Sequence, residues 1–116
     1  MMKSGISGGN AGNKQNAVAS HTATGAETSF TDVSATLAGG ATGRPVKLKA
    51  SGSVGGLVQL NIGAQATYTL AVAPNQLPVE YVIPPSAFPN LVNSVSIGFE
   101  AFGAGTLVGI VEFNTS

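Results

Sequence analysis

From Val95 to Ala101 apolar and polar side chains alternate one for one. Val95, Ile97, Phe99 and Ala101 fall on one side, and Ser96, Gly98 and Glu100 on the other. That period of two belongs to a half-buried β-strand, because successive side chains of a strand point to opposite faces. Thr106 to Phe113 is apolar on both sides, as expected of a strand covered twice. Gly103 and Gly105, between the two, suit a hairpin turn that needs positive φ. The stretch holds three of the five phenylalanines, which places the core on it.

The same alternation recurs upstream. Val33, Ala35 and Leu37 alternate with Ser34 and Thr36; Phe30 is out of step, which predicts a bulge or irregular start near Asp32. Val46, Leu48 and Ala50 alternate with Lys47 and Lys49, giving a strand with a solvated lysine face. Val58, Leu60 and Ile62 alternate with Gln59 and Asn61, and Tyr68, Leu70 and Val72 with Thr67 and Thr69, so these two read as a hairpin. Val79, Tyr81 and Ile83 form one more strand. Pro84 to Pro89 holds three prolines and cannot be a central strand. It reads as a crossing loop with a helical turn after Pro85, and Phe88 and Leu91 plug one end of the core.

Seven strands separated by turn residues predict one antiparallel β-sandwich of the jelly-roll kind. Its expected core is Leu48, Leu60, Ile62, Leu70, Val72, Tyr81, Ile97, Phe99, Val111 and Phe113. A chain of 116 residues is one domain by size.

Residues 1–28 are a different material. Gly, Ser, Asn, Thr and Ala dominate, and the larger apolar side chains are Met1, Met2, Ile6 and Val18. Such a stretch buries too little to offset its ordering entropy. The expected division is therefore an irregular N-terminal arm over 1–28 and a β-sandwich over 29–116. The helical alternative, Lys14 to Ser20, is weakened by Asn13 and Asn16. Ser4 to Gln15 lacks the apolar core of a secretory leader, and no run reaches the roughly 18 apolar residues of a spanning helix.

Charge constrains function. Asp, Glu, Lys and Arg make up 9% of the chain and balance to zero, against about 25% in an ordinary globular domain. A free monomer normally keeps a charged surface to resist association, and neutral β-edges are sticky unless covered. The expectation is a surface largely occupied by partners or by copies of the chain itself.

Catalytic signals are weak. His21 is the lone histidine and lies within the predicted arm, without a placed nucleophile or orienting acid. Glu100 and Glu112 face each other across the last hairpin only in one register; the plainer reading is two separate solvated glutamates. With no cysteine and one histidine, neither a transition-metal site nor a thiolate nucleophile is expected, and no cofactor is implied. The glycine-rich turns lack the lysine and the helix of a phosphate loop. Arg44, Lys47 and Lys49 make a thin footprint for nucleic acid. The absence of tryptophan counts against a lectin, since sugar sites lean on exposed aromatic faces.

A glycine-rich arm followed by a compact, cysteine-free, low-charge β-domain resembles the decoration or cement proteins of tailed-phage heads, and short head-fibre or spike modules. The likeness is one of layout across the whole chain. It implies a non-enzymatic virion protein that trimerises on the capsid surface and clamps neighbouring coat subunits. Spore-surface trimers with jelly-roll heads are a second likeness. The expected interface comprises Met1, Met2, Ile6, Val18 and His21 of the arm, with Val108 and Ile110 on the outer side of the last strand. No nucleic acid or membrane is expected as partner. The alternative is a carbohydrate- or receptor-binding module at a fibre or spike tip.

Overall fold

The computed structural model describes residues 14–41, 46–62, 66–84, 86 and 92–114. These form eight strands: β1 (Lys14–Ala23), β2 (Thr31–Ala41), β3 (Val46–Gly52), β4 (Gly56–Ile62), β5 (Ala66–Val72), β6 (Val79–Ile83), β7 (Val92–Ala101) and β8 (Gly105–Asn114). They make two four-stranded sheets, ordered β1-β8-β3-β6 and β2-β7-β4-β5. Every strand pairing is antiparallel. Strand 1 lies beside 8, 2 beside 7, 3 beside 6 and 4 beside 5. That order results when one long hairpin, with its tip between β4 and β5, is rolled into two layers, which is a jelly roll.

The β4–β5 pair is the expected hairpin, in register from Gly56 opposite Val72 to Ile62 opposite Ala66. The C-terminal stretch is not one. β7 pairs with β2 and β4, whereas β8 pairs with β1 and β3. Residues 102–104 carry the chain from one sheet to the other. Gly105 does have positive φ, at 157°, and a Cβ there would lie 2.8 Å from the Cβ of Val54. Local alternation specifies a strand and its inward face; it does not specify which strand lies beside it, because partner choice depends on contacts distant in sequence.

The predicted irregular arm contains a strand, and only residues 24–28 of its described part are irregular. Lys14–Ala23 is β1, paired along its full length with β8, so the helical alternative also fails. Ala17, Ala19 and Ala23 point inward and are buried. Alanine is the right size there. Ala19, Gly109 and Ala50 lie side by side across β1, β8 and β3, and this row of small residues receives Ile97, Val58 and Phe99 from the opposite sheet. Small residues facing large ones let the two layers interdigitate at interior density.

Of the predicted core, Leu48, Leu60, Ile62, Val72, Ile97, Phe99, Val111 and Phe113 are buried. Leu70 packs half-buried against them. Tyr81 does not belong: it is 44% exposed. It sits on edge strand β6 against Tyr68 of β5, ring centroids 5.6 Å apart, where the open side of the sandwich leaves one face to water. Phe102 caps the crossing between the sheets and is exposed, so two of the three C-terminal phenylalanines are core. The irregular start at Phe30 is present, since β2 begins at Thr31, but the register shift of β2 against β7 falls later, between Thr36 and Ala41. Phe88, Leu91 and Arg44 lie outside the described residues.

Candidate functional site

Every second residue of each strand points away from the core, so the sandwich has two outer faces. On the β1-β8-β3-β6 sheet the cross-strand rows are Asn16–Glu112–Lys47–Val82, Val18–Ile110–Lys49–Glu80 and Ser20–Val108–Ser51. Val18 is 62% exposed, and Ile110 and Val108 are half-buried between their neighbours. Among the described residues, the outer side of β8 is covered only by adjoining side chains of its own sheet. The twofold apolarity of β8 marks a strand with one core face and one surface face.

Five charged residues share this face with the aliphatic patch: Lys14, Lys47, Lys49, Glu80 and Glu112. They are not separately solvated, as the sequence suggested for the lysines and for Glu112. Lys14 Nζ lies 3.2 Å from Glu112 Oε1, Lys49 Nζ 3.3 Å from Glu112 Oε2, and Lys47 Nζ 3.3 Å from Glu80 Oε1. Partial burial pushes the Glu112 carboxyl up, but the bonds and charges of Lys14 and Lys49 outweigh it and hold the group below its ordinary 4.5. The network was hidden because it joins three strands far apart in sequence.

His21 departs from its expected place in a loose arm. It occupies an inward position near the end of β1, with its side chain 16% exposed. Its ring stacks on Phe99, centroids 6.0 Å apart, and Nε2 lies 2.8 Å from Glu27 Oε2. The Ala101 amide donates to Glu27 Oε1 at 2.9 Å, and the Glu27 amide donates to the Ala101 carbonyl at 2.8 Å. The bond from the Ala101 amide to Oε1, followed by the one to His21, holds the Glu27 carboxyl below 4.5. The group clips the β1–β2 connection to the end of β7. A histidine–carboxylate pair becomes catalytic when it activates a nucleophile; here the geometry joins three segments of backbone. Glu27 had no signal in the sequence, since the pairing spans a loop of six residues whose path was not legible.

Glu100 and Glu112 point outward from opposite sheets, because β7 and β8 are in different layers, and so cannot share a cleft. Among the described residues, no three His, Asp or Glu side chains converge on a point where a metal ion would sit. Met1, Met2 and Ile6 of the expected interface lie outside the described residues.

The other outer face, on the β2-β7-β4-β5 sheet, is largely hydroxyl and amide, with the carboxylates Asp32 and Glu100 and with Leu57 and Ala71 in the row beside Glu100. Its rows run Asp32–Gly98–Gln59–Thr69 and Ser34–Ser96–Asn61–Thr67. Gln59 Nε2 donates to Thr69 Oγ1 at 3.3 Å, Asn61 Nδ2 to Gln59 Oε1 at 3.3 Å, and Thr67 Oγ1 to Asn61 Oδ1 at 3.0 Å. A shallow depression of about 540 Å³ opens over β2, β7 and β4.

The fold and these two faces define a small jelly-roll β-sandwich with one mixed aliphatic and ionic face and one polar face that carries Asp32 and Glu100. Compared with family models, with curated proteins and with solved structures, the chain finds no match.

Proposed function

We propose that the protein is a non-enzymatic structural subunit of a virion surface, in the role of a capsid decoration or cement protein. It assembles with copies of itself, as a trimer, and seats on the coat protein. The observation that carries this reading is the aliphatic patch of Val18, Ile110 and Val108 on a sheet whose charges are already paired within the chain. Covering such a patch removes apolar area from water, at about 25 cal/mol per Å² before ordering costs. The paired charges reach the interface with partners in place, which lessens the penalty of burying them. Contacts of this kind depend weakly on salt, unlike interfaces held by unpaired charge. The segment preceding β1 supplies the coat-protein contact, its glycines following a groove and its amides pairing with an exposed edge.

The test is the mass of the native protein in solution, followed by sedimentation with capsids that lack it. The reading requires a closed oligomer that co-sediments. A monomer at micromolar concentration overturns the assembly, and an oligomer that ignores capsids overturns the virion role.

A further inference from the structure

The polar face that carries Asp32 and Glu100 lies opposite the patch assigned to that assembly. We infer that the depression on the β2-β7-β4 surface binds a neutral oligosaccharide. The two proposals stand on opposite faces of the sandwich, so either survives the failure of the other.

The depression is lined by Asp32, Ser34, Gln59, Asn61, Ser94 and Ser96. It is open and shallow, so it would hold a ligand along one face and would not enclose it. Its chemistry selects the ligand class. Among the described residues no lysine or arginine lines it, so those residues offer nothing to phosphate, sulfate or carboxylate. Its single charge is a carboxylate, which disfavours anions further. Serine hydroxyls and the amides of Gln59 and Asn61 each both donate and accept. A sugar hydroxyl does the same, so every orientation it takes finds a partner. Asp32 accepts only, which suits a pair of neighbouring hydroxyls both donating.

One feature raises this above a merely wet sheet. The amides are held in advance: Thr67 donates to Asn61 Oδ1, Asn61 Nδ2 to Gln59 Oε1 and Gln59 Nε2 to Thr69, which leaves one N–H and one oxygen lone pair of each amide for a ligand. Orientation made before binding reduces the ordering cost of the complex. Gly98 opens the Asp32–Gly98–Gln59 row, and both the Asp32 carboxylate and the Phe30 ring lie over it. A Cβ at Gly98 would meet Asp32 Oδ1 at 2.8 Å and Phe30 Cδ1 at 3.2 Å. Phe30 is half-buried and places an apolar ring at the rim of a polar surface. The ring covers Gly98 beside the depression and does not line it, so recognition rests on the hydroxyl and amide groups.

Titrating the full, isotope-labelled chain with maltose, cellobiose, lactose and N,N′-diacetylchitobiose, and with N-acetylneuraminic acid as the acidic comparison, tests the inference by amide chemical shifts. At least one neutral disaccharide is expected to give saturable shifts confined to 31–36, 58–62 and 93–99, with a Kd of about a millimolar. Asn61→Ala combined with Asp32→Asn is expected to weaken binding at least about tenfold. Ser96→Gln, which fills the depression while keeping its polarity, is expected to do the same with an otherwise unchanged spectrum. The inference is overturned if no neutral disaccharide gives saturable shifts, if only the acidic sugar does, or if the shifts map elsewhere. It is also overturned if binding survives both the double variant and Ser96→Gln.

Discussion

Ile97 of β7 packs directly over Gly109 of β8: a Cβ at Gly109 would sit 2.9 Å from the Ile97 Cγ2 methyl, and 3.2 Å from Cγ1 of Val58. The two layers interlock here, across the row Ala19–Gly109–Ala50. Gly109→Ala adds one methyl where there is no room, and the ring of Phe99 blocks the third side. Overpacking of this kind costs about 1–3 kcal/mol. Denaturant unfolding of the variant should show that loss with an unchanged m-value. Equal stability would mean that the layers separate more easily than this packing implies.

Phe99 is the largest fully buried side chain and touches both the small-residue row and His21. Phe99→Ala removes a ring from a closed interior and leaves a cavity, at a cost of about 3–5 kcal/mol. A thermal midpoint within a degree or two of the parent would show that the ring is not the centre of the core.

Acid should loosen the molecule in a defined window. Glu27 and Glu112 both have carboxyl groups held below 4.5 in the folded chain. A carboxylate whose folded pKa is lowered contributes stability above its unfolded pKa, and that contribution is lost as the pH falls through the folded value. The thermal midpoint is therefore expected to hold steady down to a pH of about 5 and to fall below it. Glu27→Gln should lower the midpoint at neutral pH and make the acid fall shallower. An acid limb identical to the parent's would assign it to other groups.

The strands that alternate cleanly, from Val33 onward, were legible because inward and outward residues differ sharply in polarity. β1 was not. Its inward residues are alanines, which composition counts as the texture of a loose arm, and their fitness for burial depends on Ile97 and Phe99 arriving from the other sheet. Pairing was legible only where it is local, as in β4 and β5. The rolled order that separates β7 from β8 rests on contacts made late in the chain. The site divides in the same way. The outward positions of Val108 and Ile110 follow from alternation, whereas the Lys14–Glu112–Lys49 bridge and the His21–Glu27 clip need the three-dimensional register. The polar face was in plain view as Ser, Thr, Asn and Gln on alternate positions, but only register gathers them into one surface.

Removing residues separates the arm from the fold. β1 begins at Lys14, which bridges to Glu112, and residues 1–13 carry few large apolar side chains in the sequence. A chain starting at Lys14 should fold with an unchanged thermal midpoint. A chain starting at Ala26 lacks β1, uncovers the backbone edge of β8, and loses Ala17, Ala19 and Ala23 from the core. It is expected to aggregate or to melt far lower, since a long apolar edge is left unpaired. If the shorter chain folds as well as the longer one, β1 is an accessory strand and residues up to Gly25 are an arm after all.

Charge placed on the aliphatic patch should break assembly without breaking the fold. Val18 is 62% exposed, so Val18→Glu costs the isolated subunit little, within about 0.5 kcal/mol for a surface position. Ile110 lies beside Lys49 in the neighbouring strand; a glutamate there gains a cation in the folded subunit, which offsets part of the lost packing. In an assembled interface both changes bury a carboxylate against a copy that offers no new cation, and an unpaired buried charge is strongly destabilising. The two variants are therefore expected to keep their β circular-dichroism spectrum and to run at the mass of a single chain. A third variant, Thr69→Glu on the opposite face, should keep the parent's mass. Assembly that persists in both Val18→Glu and Ile110→Glu would clear this face of any role between copies. Dissociation by Thr69→Glu alone would move the interface to the polar sheet and leave no open surface there for a sugar.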